Sequence, residues 1–168
     1  MNKTKFVLQM VILLALLGAG LWYRYLRSDS FKIKRQLNGL CEDLRKGIAE
    51  GNASTALKTV SLGNRLDDRV TIRVHDIPIA GEFSAEEIVS HASRARLSCQ
   101  IIDVRLLDST VTIEKDGKSA LADCVFRTRA VSDENAMDDE FHVDIVLVKN
   151  SSGEWRFRSF EESKILQR

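Results

Sequence analysis

The stretch VTIRVHDIPIAGEFSAEEIVSHA, residues 70–92, decides the fold. Its first half alternates. Val70, Ile72 and Val74 stand against Thr71, Arg73 and His75, the two-residue period of a strand with one buried face. Pro78 and Gly81 interrupt that pattern and mark a connection. The second half opens a helix. Ser84, followed three residues later by Glu87, forms a capping box, in which each side chain satisfies a backbone N–H of the first turn. Ile88, Val89, Ala92 and Ala95 then recur at helical spacing, which predicts an inward face on a helix running to about Arg96. Such a strand and helix bury their apolar sides only by packing helix on sheet.

Toward the N-terminus, Ile33, Leu37, Leu40, Cys41, Leu44 and Ile48 share one helical face, predicting a helix from about Ser30 to Glu50 ended by Gly51. Asn52 reads as the N-cap of a short second helix, with Ala53, Ala56, Leu57 and Val60 inward and Gly63-Asn64 as its stop. Toward the C-terminus the period changes. Ile102, Val104 and Leu106 share a face, whereas Val111 and Ile113 have the opposite parity, so a bulge is expected near Asp108-Ser109. Asp116-Gly117 is a hairpin signal. The next strand sets Ala120, Ala122, Cys124, Phe126 and Thr128 against Asp123, Arg127 and Arg129. SDENAMDDE, residues 132–140, reads as an acidic loop. Phe141, Val143, Ile145 and Leu147 then alternate with His142, Asp144, Val146 and Val148. NSSG turns the chain, and EWRFRSF closes it with Trp155 and Phe157 inward and Arg156 and Arg158 outward. The expected class is α+β, with helices laid on the concave face of a curved antiparallel meander.

Residues 6–26, FVLQMVILLALLGAGLWYRYL, are unlike the rest of the chain. At about 1.5 Å per residue such a helix crosses a hydrocarbon layer about 30 Å thick. Gly18-Ala19-Gly20 offers a signal-peptide cleavage site, but Leu21, Trp22, Tyr23 and Tyr25 continue the apolar run as an interfacial belt. The segment therefore reads as a retained membrane anchor. This divides the chain into residues 1–29, a signal anchor or transmembrane helix, and 30–168, one soluble domain. The basic residues flanking the segment favour a cytoplasmic domain by count. A short charged tail before one apolar segment is, however, the layout of an anchor that exports the domain behind it. The expected location is the exported, periplasmic side, as a single-pass membrane protein.

Lys and Arg number 25 against 24 Asp and Glu, with both signs interspersed, so there is no electrostatic footprint for nucleic acid. Cys41, Cys99 and Cys124 are far apart and sit among apolar neighbours, consistent with core thiols, although one disulfide is open on sequence. No histidine stands at ligand spacing to them, and no metal or cofactor site is expected. The acidic run AMDDE lacks the spaced ligands of a calcium loop.

Three residues are weak candidates for chemistry. His91 lies between Ile88 and Ala95 and reaches the buried side of its helix. His75 and Asp76 end the first strand near the rim, but adjacent strand residues point to opposite faces. Asp103, Asp123, Arg127, Arg129, His142, Asp144, Arg156 and Arg158 fall opposite the apolar rows. That pattern describes either a solvated face of cross-strand charge pairs or a face that docks on a partner.

The element order, with residues 70–92 at its centre and GEWRFRSF at its end, resembles the nuclear transport factor 2-like superfamily, which includes SnoaL-like cyclases and ketosteroid isomerases. Gly81, Ser84, Glu87 and Ile88 carry one part of the resemblance, and Gly153, Trp155 and Phe157 the other. It covers roughly residues 31–165, and none of the superfamily's active-site motifs matches. The resemblance implies a cone-shaped cavity between sheet and helices, and association with a second copy or another protein through the open sheet face. Two functions are then open. One is a membrane-anchored, non-enzymatic accessory domain binding a protein or a small apolar ligand, a layout similar to periplasmic assembly subunits of secretion machines. The alternative is a small isomerase-, hydrolase- or cyclase-type enzyme with a cavity histidine or aspartate as general base.

Overall fold

The computed structural model describes residues 28–74, 80–133 and 135–163. The apolar segment 6–26, His75 and Asp76 lie outside the described residues, and so does the expected anchor. Among the described residues, no helix is long and apolar enough to cross a membrane.

Helix α1 (Asp29–Leu44) begins where the Ser28 hydroxyl accepts the Phe31 N–H at 3.3 Å, and it buries Ile33, Leu37, Leu40 and Cys41. It ends well before the predicted Gly51. Lys46 instead pairs its backbone with Ile102, donating at 2.7 Å and accepting at 3.0 Å. Forming that bridge pulls the chain out of the helix, so Ile48 is left 83% exposed.

Helix α2 (Asn52–Arg65) has Gly51, not Asn52, at its N-cap, and it continues through Gly63-Asn64 to Arg65. Its rotation is opposite to expectation. Ala53, Ala56, Leu57 and Val60 face solvent, and Leu62 is the buried residue. The cause is polar. Lys58, Ser61 and Arg65 turn toward α1 and the connection after it, where Asp43 of α1 and Glu50 of the connection accept from them. These buried acids set the helix's rotation.

Strand β1 (Leu66–Arg73) directs Val70 into the core, and Val74 just beyond it is also buried. Strand β2 (Gly81–Ser84) leads directly into helix α3 (Ala85–Ser98). The capping box is formed as predicted: the Glu87 N–H donates to the Ser84 hydroxyl at 3.2 Å, and the Ser84 N–H to Glu87 at 2.8 Å. Ile88, Val89 and Ala92 pack on the core, but Ala95 is exposed and Arg96 is buried in its place.

Strands β3 (Ile101–Ile113), β4 (Ser119–Val131), β5 (Ala136–Lys149) and β6 (Trp155–Glu162) form the long meander. The sheet has six strands in the order β2-β1-β6-β5-β4-β3. It is mixed rather than purely antiparallel, because β1 enters beside β6 and runs parallel to it. The expected bulge is present, with the register of β3 on β4 shifting between Leu106 and Asp108. A second shift separates Val146 from Leu147 on β5 opposite β6, and it brings Phe157 and Phe160 to the same side, their rings 5.6 Å apart. Both irregularities bend the sheet around the helices.

Gly117 closes the β3–β4 hairpin at φ 63°, a conformation that costs a side-chain-bearing residue far more than glycine. SDENAMDDE is only partly a loop. From Ala136 the chain is already strand, paired with β4 back to Val131.

The inner face of the sheet and the three helices enclose one apolar cluster, including Val104, Ala120, Ala122, Cys124, Phe126, Val143, Ile145, Leu147, Trp155 and Phe157. Ala120, Ala122, Ile33 and Leu37 belong to this one cluster and are at most 1% exposed.

Candidate functional site

Apolar side chains fill the space between the sheet and the helices. Its sheet side carries Ala120, Ala122, Cys124, Phe126, Val143, Ile145 and Leu147, and its helix side carries Ile33, Leu37, Leu40 and Cys41. These are packed against one another, with burial raising the Cys41 thiol to about 11 and the Cys124 thiol to about 12. At such values both remain protonated and inert as nucleophiles near neutrality. Among the described residues, all three cysteines are free and none joins a group able to hold a metal.

His91 does not enter this interior. It is half-buried on α3 and meets Phe83 of β2 edge-on, with ring centroids 5.8 Å apart and planes at 80°. Its position is the flank of the α3–β2 junction, where an aromatic contact orients it.

The polar chemistry is concentrated in two other places. The first lies beneath the α1–α2 connection. Arg96, 7% exposed, donates to the carbonyls of Asp43 at 2.7 Å, Leu44 at 3.3 Å and Arg45 at 3.3 Å, and also pairs with the Glu50 carboxylate. Lys58 joins Glu50 at 3.1 Å and the Arg45 carbonyl at 2.7 Å. Lys46 closes the cluster from the other side, donating to the carbonyls of Arg96 at 2.5 Å and Cys99 at 2.6 Å. The carbonyls at the end of α1 thus receive charged donors in place of water, as a helix C-terminus requires. Burial alone raises the Glu50 carboxyl, but Lys58 and Arg96 outweigh it and hold it below the ordinary carboxylate range.

A neighbouring pair, Asp43 and Arg65 at 2.5 Å, is shared with Ser61 and Gln36. Arg65 lies flat on α1 at Gly39, where any Cβ would collide with the guanidinium. Gly39 is therefore the floor on which Arg65 rests.

The second place is the outer face of the sheet, away from the helices. Asp103, Arg105, Arg127, Arg129 and Asp138 line a concavity of about 200 Å³ there. Arg127 grips Asp138 with both arms, at 2.8 and 3.1 Å, and Arg105 holds Asp103 at 2.7 Å. Farther along, Asp123, Asp144 and Glu161 stand opposite one another on β4, β5 and β6. Arg158 reaches Asp67 at 2.8 Å.

Sequence reasoning missed Arg96, Asp43 and Glu50. The first two were detectable: Arg96 stands seven residues after Val89 and four after Ala92, in phase with the inward face. Asp43 lies three residues after Leu40, again in phase. A charge in an apolar phase demands a partner, and each has one.

This geometry is the nuclear transport factor 2-like fold. No family model and no curated protein sequence matches the chain. The likeness is structural. A Novosphingobium aromaticivorans NTF2-like protein with a cystatin-like fold superposes at TM-score 0.59 and 14% identity, covering 90% of each chain. A Kribbella flavida protein aligns at 0.63 and 12%, over 80% of this chain and 89% of its own. A Streptomyces avermitilis protein of the NTF2-like family, which carries a provisional dehydratase name, aligns at 0.60 and 14% over 82% and 96%. At such identities the agreement establishes architecture, and activity has to be argued from the residues.

Proposed function

We propose that the chain is a non-catalytic binding module, tethered to a membrane by residues 6–26 and displayed on the exported side, which docks a protein through the outer face of its sheet. The observation that carries this reading is the content of the cone. Its described lining is apolar and close-packed, and His91 stands outside it. An acid–base enzyme of this fold needs an ionisable group in an apolar pocket beside its substrate. The outer face supplies charges of both signs instead, fixed by a regular strand register, which suits partner selection.

The enzyme alternative draws support from the provisional dehydratase name of a structural relative. In this chain it would rest on His91, or on His75 and Asp76.

Reporters active on one side of the membrane only, fused after Arg168, test the tether and its direction. Signal from the exported-side reporter alone is expected; signal from the cytoplasmic reporter alone overturns the assignment. Cross-linking from a photoreactive residue placed at Asp123 then reads the docking face. A discrete adduct with another protein is expected, and an adduct with a second copy alone makes the face a homodimer interface. Loss of turnover of any substrate in His91→Ala would overturn the non-catalytic reading.

A further inference from the structure

The outer-face concavity has a charge arrangement that its own residues leave unfinished. In strand register, Arg129 stands between Asp103 on β3 and Asp138 on β5. Both carboxylates are held by other arginines. Asp103 is taken by Arg105 at 2.7 Å and by Arg45 at 2.9 Å, and Asp138 is taken by both arms of Arg127. Arg129 therefore has no ion pair within 4.0 Å among the described residues, although two acids flank it. Arg105 and Arg127 are moreover direct cross-strand partners, a like-charge pairing offset by Asp103 on Arg105, by Asp138 on Arg127, and by Glu140, which stands opposite Arg127 on β5.

We propose that this concavity binds an oxyanion, a carboxylate or phosphate group, with Arg129 as the anchoring donor and Arg105 and Arg127 at its sides. The chemistry fits in three respects. A guanidinium presents a planar fork that matches two oxygens of a carboxylate or phosphate. The volume of about 200 Å³ suits one such group rather than a whole metabolite. The donors are carried by two strands hydrogen-bonded to each other, β3 at the sheet edge and β4 beside it, so their spacing is set before binding. Asp103 and Asp138 orient the two lateral arginines, Glu140 faces Arg127 from β5, and Arg129 is left as the guanidinium of the concavity without an ion pair among the described residues. The inference names a ligand chemistry for one end of the outer face and does not depend on the tether.

The test uses the full chain in detergent micelles and follows arginine side-chain Nε–H resonances during titration with inorganic phosphate or acetate. Sodium chloride at matched ionic strength is the reference. Saturable movement of the Arg129 resonance in one or both anions, beyond that in chloride, is expected. Saturation by phosphate alone identifies the ligand as a phosphate group, and saturation by acetate at equal or lower concentration as a carboxylate. Arg129→Gln should weaken binding about tenfold or more, since a charged donor is lost. Arg158→Gln, on the same face but paired with Asp67, should leave it unchanged. Movement that chloride reproduces, or titration unaltered in a folded Arg129→Gln protein, overturns the proposal. If cross-linking shows the face to be a partner interface while phosphate and acetate both fail, this inference falls and the docking proposal stands.

Discussion

Two arginine–carboxylate pairs in this molecule make the same chemical contact in opposite surroundings. Arg96 and Glu50 meet beneath the α1–α2 connection with 7% and 5% of their side chains exposed. Arg127 and Asp138 meet on the outer sheet face with 59% and 47% exposed. The exposed pair has the better fork geometry, with two parallel hydrogen bonds. Geometry, however, does not rank them. In water the separated ions of the outer pair lose little, whereas the inner pair has given up its hydration and depends on its partners. The buried arginine also donates to three backbone carbonyls at and just beyond the end of α1. Structural weight should therefore sit in the helical layer and binding capacity on the sheet.

The largest effect is expected from splitting the buried pair. Arg96→Ala leaves the buried Glu50 carboxylate to Lys58 alone and frees the end of α1, costing about 3–5 kcal/mol in chemical denaturation. Trp155→Ala, which removes a fully packed ring, should cost about as much and calibrates the comparison. The double variant Glu50→Leu with Arg96→Met sharpens it. Removing both charges should be less harmful than removing one, because the cation that remains, Lys58, is partly exposed and keeps the Arg45 carbonyl. If Arg96→Ala melts like the parent, the inner pair carries no weight and the contrast disappears.

Acid should act next, on paired carboxyls of both regions. The carboxyls of Glu50, of Asp29 and of Asp103 are all held below their ordinary values of 4.5, 3.8 and 3.8. For Asp29 the leading cause is the hydrogen bond from Lys149, and for Asp103 that from Arg105. A depressed folded pKa means that the unfolded chain takes up protons first as pH falls. The stabilisation is complete above the ordinary carboxylate values and is lost as pH descends from about 4.5 through the lowered folded values. Denaturation midpoints should thus be flat near neutrality and drop in acid, and Glu50→Gln should make that drop shallower. An unchanged acid profile in Glu50→Gln would place the effect elsewhere.

Thiol chemistry separates the buried core from the surface more gently. At pH 8 a disulfide reagent should label Cys99, which is half-exposed, within minutes, and label Cys41 and Cys124 only after denaturant is added. Rapid labelling of all three would mean that the cone interior is open to solvent.

The sheet was far more legible in the sequence than the helices, for a physical reason. A strand's side chains alternate strictly, so parity alone assigned Ala120 to Phe126 inward, found the break near Asp108 and placed Trp155 and Phe157 in the core. A helix offers a continuous choice of rotation, and hydrophobicity is only one contribution to it. In α2 the acids Asp43 and Glu50 prevail over Leu57 and Val60, which are left 73% and 63% exposed. Those partners are distant in sequence, and no local pattern announces them. The parallel entry of β1 beside β6 was equally silent, because strand direction is a property of the connection rather than of the strand. Of the proposed site, the alternation showed which charges face outward. It could not show that Asp138, read as loop, is in strand register beside Arg129.

The smallest effect belongs to the outer pair, and it is the most discriminating. Arg127→Gln deletes a bidentate contact, yet an exposed pair of this kind contributes roughly 0–1 kcal/mol. Its loss also relieves the repulsion from Arg105 directly across the strand, which offsets part of the cost. The denaturation midpoint should scarcely move at low salt and not at all at high salt, where surface charges are screened. Phosphate or acetate affinity should fall all the same, because a donor at the side of the concavity has gone and Asp138 is released to neutralise Arg129. A variant that keeps its stability while losing the anion identifies a surface held for binding. One that loses both assigns Arg127 to the scaffold, and the two pairs would then differ only in degree.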